Sequence, residues 1–203
     1  VVTGVRFSSP APKKSIIKAM QGNKFGGWIK FIIGWVAVFG IRLLPFRPPN
    51  VEPILATIMP FSKRYKYVGG FFFGFLSIVL FDLSVSQLGM WTLITGLAYG
   101  LLGVGAYSFF KNRAGSPKNF LIYGIIGTIA YDAVTGLSVG PLFFDQPFME
   151  ALMGQISFTL SHLAGTIFFA LTLSPAIYKW VVLNKKLEFG LNFGKAVGSN
   201  SQA

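Results

Sequence analysis

The chain has 203 residues, of which 53% are hydrophobic and only 12% charged. A soluble domain carries about 25% charged residues, so this composition argues against a water-soluble enzyme and for a polytopic membrane protein. The net charge of +12 lies in short clusters between apolar runs, which argues against a nucleic-acid-binding face, and the absence of Cys excludes disulfides, thiolate nucleophiles and thiolate metal sites.

In chain order, residues 1–27 form a basic segment with Arg6, Lys13, Lys14, Lys18 and Lys24, expected on the cytoplasmic side. Met20 offers an alternative start, which would make residues 1–19 an upstream extension. A cleaved signal peptide is not expected, because Arg42 and Pro45 follow the first apolar run and no A-x-A-like site does. Residues 28–183 read as a six-helix membrane domain and 184–203 as a cytoplasmic tail.

The six apolar runs are 28–44, 51–62, 67–83, 89–110, 119–137 and 155–183. A helix needs about 20 residues to cross a bilayer, and the second run, VEPILATIMPFS, is short and holds Pro53 and Pro60. It is either a kinked crossing or a re-entrant piece. Loop charge decides for a crossing. Lys63, Arg64 and Lys66, then Lys111, Arg113 and Lys118, then Lys179, Lys185, Lys186 and Lys195 join the N-terminal cluster and Lys30 on alternate connections. Only Arg42 and Arg47 lie on the others. The expectation is an all-α membrane protein with six transmembrane helices, a short kinked second helix, and both termini cytoplasmic. Trp28, Tyr65, Tyr67, Tyr107, Tyr178 and Trp180 fall at inner boundaries, Trp91 and Tyr131 at outer ones, as interfacial aromatics do. Phe81-Asp82 and Tyr131-Asp132 end the third and fifth spans alike, a hint of internal duplication.

Candidate site residues gather at the outer ends. Glu52, Asp82, Asp132, Asp145 and Glu150 fall there, with Glu188 alone inside. Asp145 and Glu150 read as solvated loop charges. Arg42, Glu52, Asp82 and Asp132 abut apolar runs, where a charge is costly unless paired or facing a cavity. Polar residues also recur at helical spacing: Gln155, Thr159, His162 and Thr166 on the sixth span, Thr92, Thr95 and Tyr99 on the fourth, and Thr128 and Asp132 on the fifth. Each stripe starts at the outer end of its span, which predicts an outward-facing polar pocket. Packing or back-bonding of the hydroxyls is the rival explanation.

Metal-cluster and ATPase motifs are lacking. One His and no Cys leave no metal cluster, and Ser161 and His162 are neighbours that cannot face each other as nucleophile and base. There is no Walker A or H-E-x-x-H, so no ATPase resides in this chain. Gly34, Ala37 and Gly40 line the first span at three-residue spacing, and Gly70-xxx-Gly74 and Gly96-xxx-Gly100 mark further small faces for helix contact, within the bundle or with a partner.

The runs RLLPFRPPNVEPILATIMPFSKRY, GGFFFGFLSIVLFDL, WTLITGLAYGLLG, GTIAYDAVTGLSVGPL and GQISFTLSHLAGTIFFALTLSPAIY resemble the membrane-embedded S component of energy-coupling-factor (ECF) transporters over residues 28–183. The resemblance implies a six-helix subunit of the prokaryotic cytoplasmic membrane that captures a vitamin or vitamin precursor from outside. It would dock on a coupling membrane protein and two ATPases. It also implies that loops 42–52, 83–90 and 133–154 close over the ligand. Candidate contacts are then Arg42, Arg47, Asn50, Glu52, Asp82, Trp91, Thr95, Asp132, Gln155, Thr159 and His162. Arg42 would meet a carboxylate or phosphate. Arg47→Ala or Asp132→Asn is expected to weaken binding at least tenfold. The family often carries an Ala-xxx-Ala-like patch on the first helix; Gly34, Ala37 and Gly40 stand in its place as the candidate partner interface. The N-terminal His ligands of its metal-transporting branches are missing, so an organic substrate without metal or other cofactor is expected. Two rivals stay open: a non-transporting six-helix scaffold of the cell-envelope machinery, and a membrane enzyme using His162 with Asp132 or Asp82 as acid–base groups.

Overall fold

The structure, a computed structural model, describes residues 27–188. The basic residues Arg6, Lys13, Lys14, Lys18, Lys24 and Lys195, Met20, and most of the two segments flanking the membrane domain lie outside the described residues. Five helical elements follow in order: α1 (Trp28–Arg42), α2 (Ile54–Ser84), α3 (Met90–Phe110), α4 (Pro117–Phe143) and α5 (Phe148–Leu171). After Thr172, α5 runs on through a short turn, Leu173–Ala176, into a π-wound stretch, Ile177–Val182. No strand occurs among the described residues. Residues 30–184 form one compact unit; of the other, the described part is residues 27–29 and 185–188, including a 3₁₀ turn at Lys185–Leu187. Four helices, α2, α3, α4 and α5 with its continuation, are long and apolar enough to cross a membrane, which marks a multi-pass membrane protein. α1 has 15 residues and a rise of about 22 Å, short of the roughly 30 Å hydrocarbon core.

The expected second and third runs fall on one element, α2, rather than on two helices separated by a loop. α2 nevertheless doubles back at Lys66, whose backbone leaves helical geometry (φ 63°, ψ −164°). Phe61 and Phe73 stack with centroids 4.2 Å apart, whereas twelve residues of straight helix would separate them by about 18 Å. A single residue therefore does the work of a loop. That conformation is one that only Gly adopts freely, at a cost of about 1–3 kcal/mol for other residues. Lys66 is exposed, so Lys66→Gly is expected to stabilise the protein by about 1 kcal/mol after glycine's own entropic cost. The thermal midpoint in detergent should rise by about 2–4 °C, and Lys66→Val should lower it.

The rest follows local chemistry. Ser116 accepts a hydrogen bond from Asn119 N (3.4 Å) and Pro117 occupies the first turn of α4, a standard helix start. The Lys63 ammonium donates to the carbonyls of Phe110 (3.3 Å) and Arg113 (2.6 Å) at the C-terminal end of α3, where a cation is favoured. Lys30 is completely buried and donates to the carbonyl of Val182 at 2.9 Å.

Helix contacts use small residues inside the bundle. A Cβ on Gly103 would collide with the carbonyl of Gly70 and come 2.9 Å from Phe71 N. The second arm of α2 and α3 therefore touch backbone to backbone. Gly34 also faces inward: a Cβ there would lie 2.8 Å from the rings of Phe61 and Phe73. Of the three residues expected at a partner interface, Gly34 is engaged internally, Ala37 is half-buried and Gly40 is exposed with open space beside it.

Two helix boundaries depart from expectation. α4 continues to Phe143 and α5 begins at Phe148, so the expected loop 133–154 is mostly helix and the connection is residues 144–147. Gly136, Gly140 and Pro141 read as loop residues. Helix nevertheless runs through all three, as membrane helices tolerate Gly and Pro.

Candidate functional site

The C-terminal ends of α1, α2 and α4 and the N-terminal ends of α2, α3 and α5 converge at one end of the bundle. They enclose a cavity of about 320 Å³, at the lower end of the range for small-molecule sites. Of the expected site residues, Arg42, Asn50, Glu52, Asp82, Trp91, Thr95, Gln155 and His162 line it. Ile54, Ile78, Tyr99, Tyr131, Thr135, Gly136 and Phe158 complete its wall.

The connection from α1 to α2 supplies the charged side. Glu52 sits between two arginines: Arg47 Nη1 donates to Glu52 Oε1 (3.0 Å) and to Val51 O (2.9 Å), and Arg42 Nε lies 3.2 Å from Glu52 Oε2. This last approach is within ion-pair distance but poorly aligned, so Arg42 Nε and Nη1 and Glu52 Oε2 are buried without a hydrogen-bond partner. The Arg42 guanidinium carbon lies over Phe81, 3.8 Å from the ring centroid, a cation–π contact. Arg47 does not line the cavity; it holds Glu52 in place. Asn50 adopts a left-handed backbone (φ 64°), which Asn tolerates better than most residues.

On the second arm of α2 and on α3, Asp82 Oδ2 accepts from Thr92 Oγ1 at 2.6 Å, and Thr92 Oγ1 in turn accepts from Gly89 N at 3.1 Å. The acid thus braces the start of α3. Thr95 donates to Trp91 O (2.8 Å) and Thr135 to Tyr131 O (2.8 Å). Tyr99 and Tyr131 lie against each other with centroids 4.5 Å apart. Trp91 is half-exposed.

The innermost polar pair joins α4 to α5. His162 Nδ1 and Asp132 Oδ1 are 2.8 Å apart, and both side chains are 2% exposed. The imidazole is held edge-on by Tyr131 (5.7 Å) and Phe158 (5.9 Å). His162 Nε2 and Asp132 Oδ2 have no hydrogen-bond partner. Below them Thr128 and Thr166 hydroxyls bond to each other at 2.8 Å, so the inner end of that stripe is helix packing.

Asp132 and Thr159 line a second, more open and nearly apolar groove of about 320 Å³ between α4 and α5, with Ile129, Ala133, Leu137, Leu152, Ile156 and Leu160. Gln155 lines both spaces and donates to Thr159 Oγ1 at 3.1 Å. Its carboxamide lies against Gly136, where a Cβ would collide with it. Thr159 thus belongs to the groove and not to the cavity.

Some wall residues had a readable signal. Tyr99 continues the Thr92–Thr95 stripe, and Thr135 extends Thr128–Asp132 by one more turn. Ile54, Ile78 and Phe158 carry none, since an apolar residue looks the same facing lipid or cavity. Among the described residues no group of three His, Asp or Glu gathers that could hold a metal. Comparison with protein-family models, with curated proteins and with solved structures found no match to the chain.

Proposed function

We propose that this chain is the substrate-capturing membrane subunit of an ATP-driven importer of the ECF type, taking a vitamin or vitamin precursor into the cavity between α1, α2, α3, α4 and α5. In this reading the chain crosses the membrane six times, counting the two arms of α2 separately, in the prokaryotic cytoplasmic membrane. The Lys66 turn and both termini are cytoplasmic and the cavity opens outward. The chain catalyses nothing itself. A coupling membrane protein and two ATPases supply the work of transport.

The observation that carries the reading is the cavity wall. It combines a guanidinium, an imidazole and several aromatic rings in a space of small-molecule size, with buried atoms on Arg42 and His162 that find no hydrogen-bond partner among the described residues. Buried polar groups cost free energy when unpaired, so a ligand that pairs them gains affinity. The basic residues at the opposite end of the bundle support the orientation.

A thermal-shift screen of the detergent-purified protein against water-soluble vitamins and their precursors tests this. A ligand at about 100 times its dissociation constant should stabilise the fold by roughly 2.7 kcal/mol. A well-folded sample with no hit across the panel would shift the reading to the membrane scaffold. The His162–Asp132 pair also favours a second reading, acid–base chemistry on a lipid or isoprenoid substrate. Turnover abolished by His162→Ala would establish it instead.

A further inference from the structure

We infer that the cavity selects a flat ring bearing an anionic group at the Arg42 end and an N–H or O–H donor at the His162 end. The inference rests on the capture reading above and narrows its substrate class.

The anionic end follows from Arg42. Its side chain is 14% exposed, its guanidinium lies over Phe81, and its Nε and Nη1 lack hydrogen-bond acceptors among the described residues. Glu52 Oε2 lies 3.2 Å from Nε in a poorly aligned ion pair, and Glu52 Oε1 is engaged by Arg47. A guanidinium with two N–H groups that lack a hydrogen-bond acceptor takes a carboxylate or phosphate better than any neutral acceptor.

The donor end follows from Asp132. A carboxylate only accepts hydrogen bonds, so the 2.8 Å contact places a proton on His162 Nδ1. In the neutral ring Nε2 is then the acceptor, and it has no donor. Tyr131 and Phe158 pack nearly perpendicular to the ring. Asp132 is thus a positioning residue, acting through the tautomer of His162.

The protons of Thr95 and Thr135 are engaged by carbonyls of their own helices. The Tyr99–Tyr131 pair and Trp91 offer aromatic surface on which a flat ring stacks.

The test uses the full chain in detergent with matched probes read by titration calorimetry. Ring carboxylates of the pyrimidine and pterin types, orotate and pterin-6-carboxylate, are each compared with their N-methylated and decarboxylated counterparts. At least one parent should bind, and each change should weaken it tenfold or more. Arg42→Lys should weaken the carboxylated parent and leave the decarboxylated probe unchanged. Asp132→Asn can donate to Nδ1 and move the ring proton to Nε2. It should cut the preference for the N–H parent over its N-methylated form to below threefold, whereas a merely structural role would weaken both equally. If Asp132→Asn does not fold, the matched pairs on the unaltered chain decide.

Equal binding of the N–H and N-methylated probes, equal binding with and without the carboxylate, or no binding by either parent would overturn the inference. A vitamin that binds the cavity without one of the two groups would overturn it while leaving the capture reading intact. Silence from both the vitamin panel and the ring carboxylates would remove both.

Discussion

Gly103→Val is expected to prevent the chain from reaching its folded state. The new Cβ would meet the carbonyl oxygen and carbon of Gly70 and the amide nitrogen of Phe71, all of them backbone atoms. A side chain can rotate away from a clash; a helix backbone in a close contact has to move as a whole. Gly70 needs the same closeness, since its own Cβ would lie 2.8 Å from Gly103 O. Overpacking of this kind costs about 3 kcal/mol or more, a large part of the stability of a small domain. The expected result is loss of the monodisperse peak in detergent size exclusion and rapid proteolysis. Gly40→Val in α1 is the control: nothing lies within 4 Å of its Cβ, and the variant should be within about 0.5 kcal/mol of the parent.

Arg42→Ala should have the largest effect on binding. Among the described residues it removes the only cavity-lining guanidinium together with two donors that have no hydrogen-bond acceptor. Hydrogen bonds to charged groups contribute about 1.5–3 kcal/mol each, so affinity for an anionic ligand should fall about 100-fold. Folding should survive, because Glu52 keeps Arg47 at 3.0 Å. Arg47→Ala should cost less than tenfold, smaller than the sequence alone suggests, because Arg47 acts only by holding Glu52. A loss equal to that of Arg42→Ala would mean that the two arginines bind ligand together.

The apolar cores of the helices were legible because hydropathy reports directly what a bilayer demands. Their ends were less so. Gly136, Gly140, Pro141 and Pro147 punctuate the sequence as a loop would, yet helix runs through the first three and resumes at Phe148. Lys66 was hidden for the opposite reason. The run Ser62-Lys63-Arg64-Tyr65-Lys66 promises a connection, but nothing local reveals that one strained residue suffices for the turn. At the site, helical periodicity pointed to Gln155, His162 and Asp132, because polar residues one turn apart stand out in an apolar helix. The same periodicity could not separate Thr159 on the groove from His162 on the cavity. That division depends on how α4 and α5 are rotated against each other, which the packing of Gly124 against Thr166 helps to set.

The link from Lys30 to Val182 bears on how the bundle is made. A ribosome completes α1 long before residue 182 exists. The carbonyl of Val182, 152 residues further along the sequence, ties the start of α1 to the π-wound turn, so this link between the first and last described membrane helices forms only once nearly all of the described chain has been made.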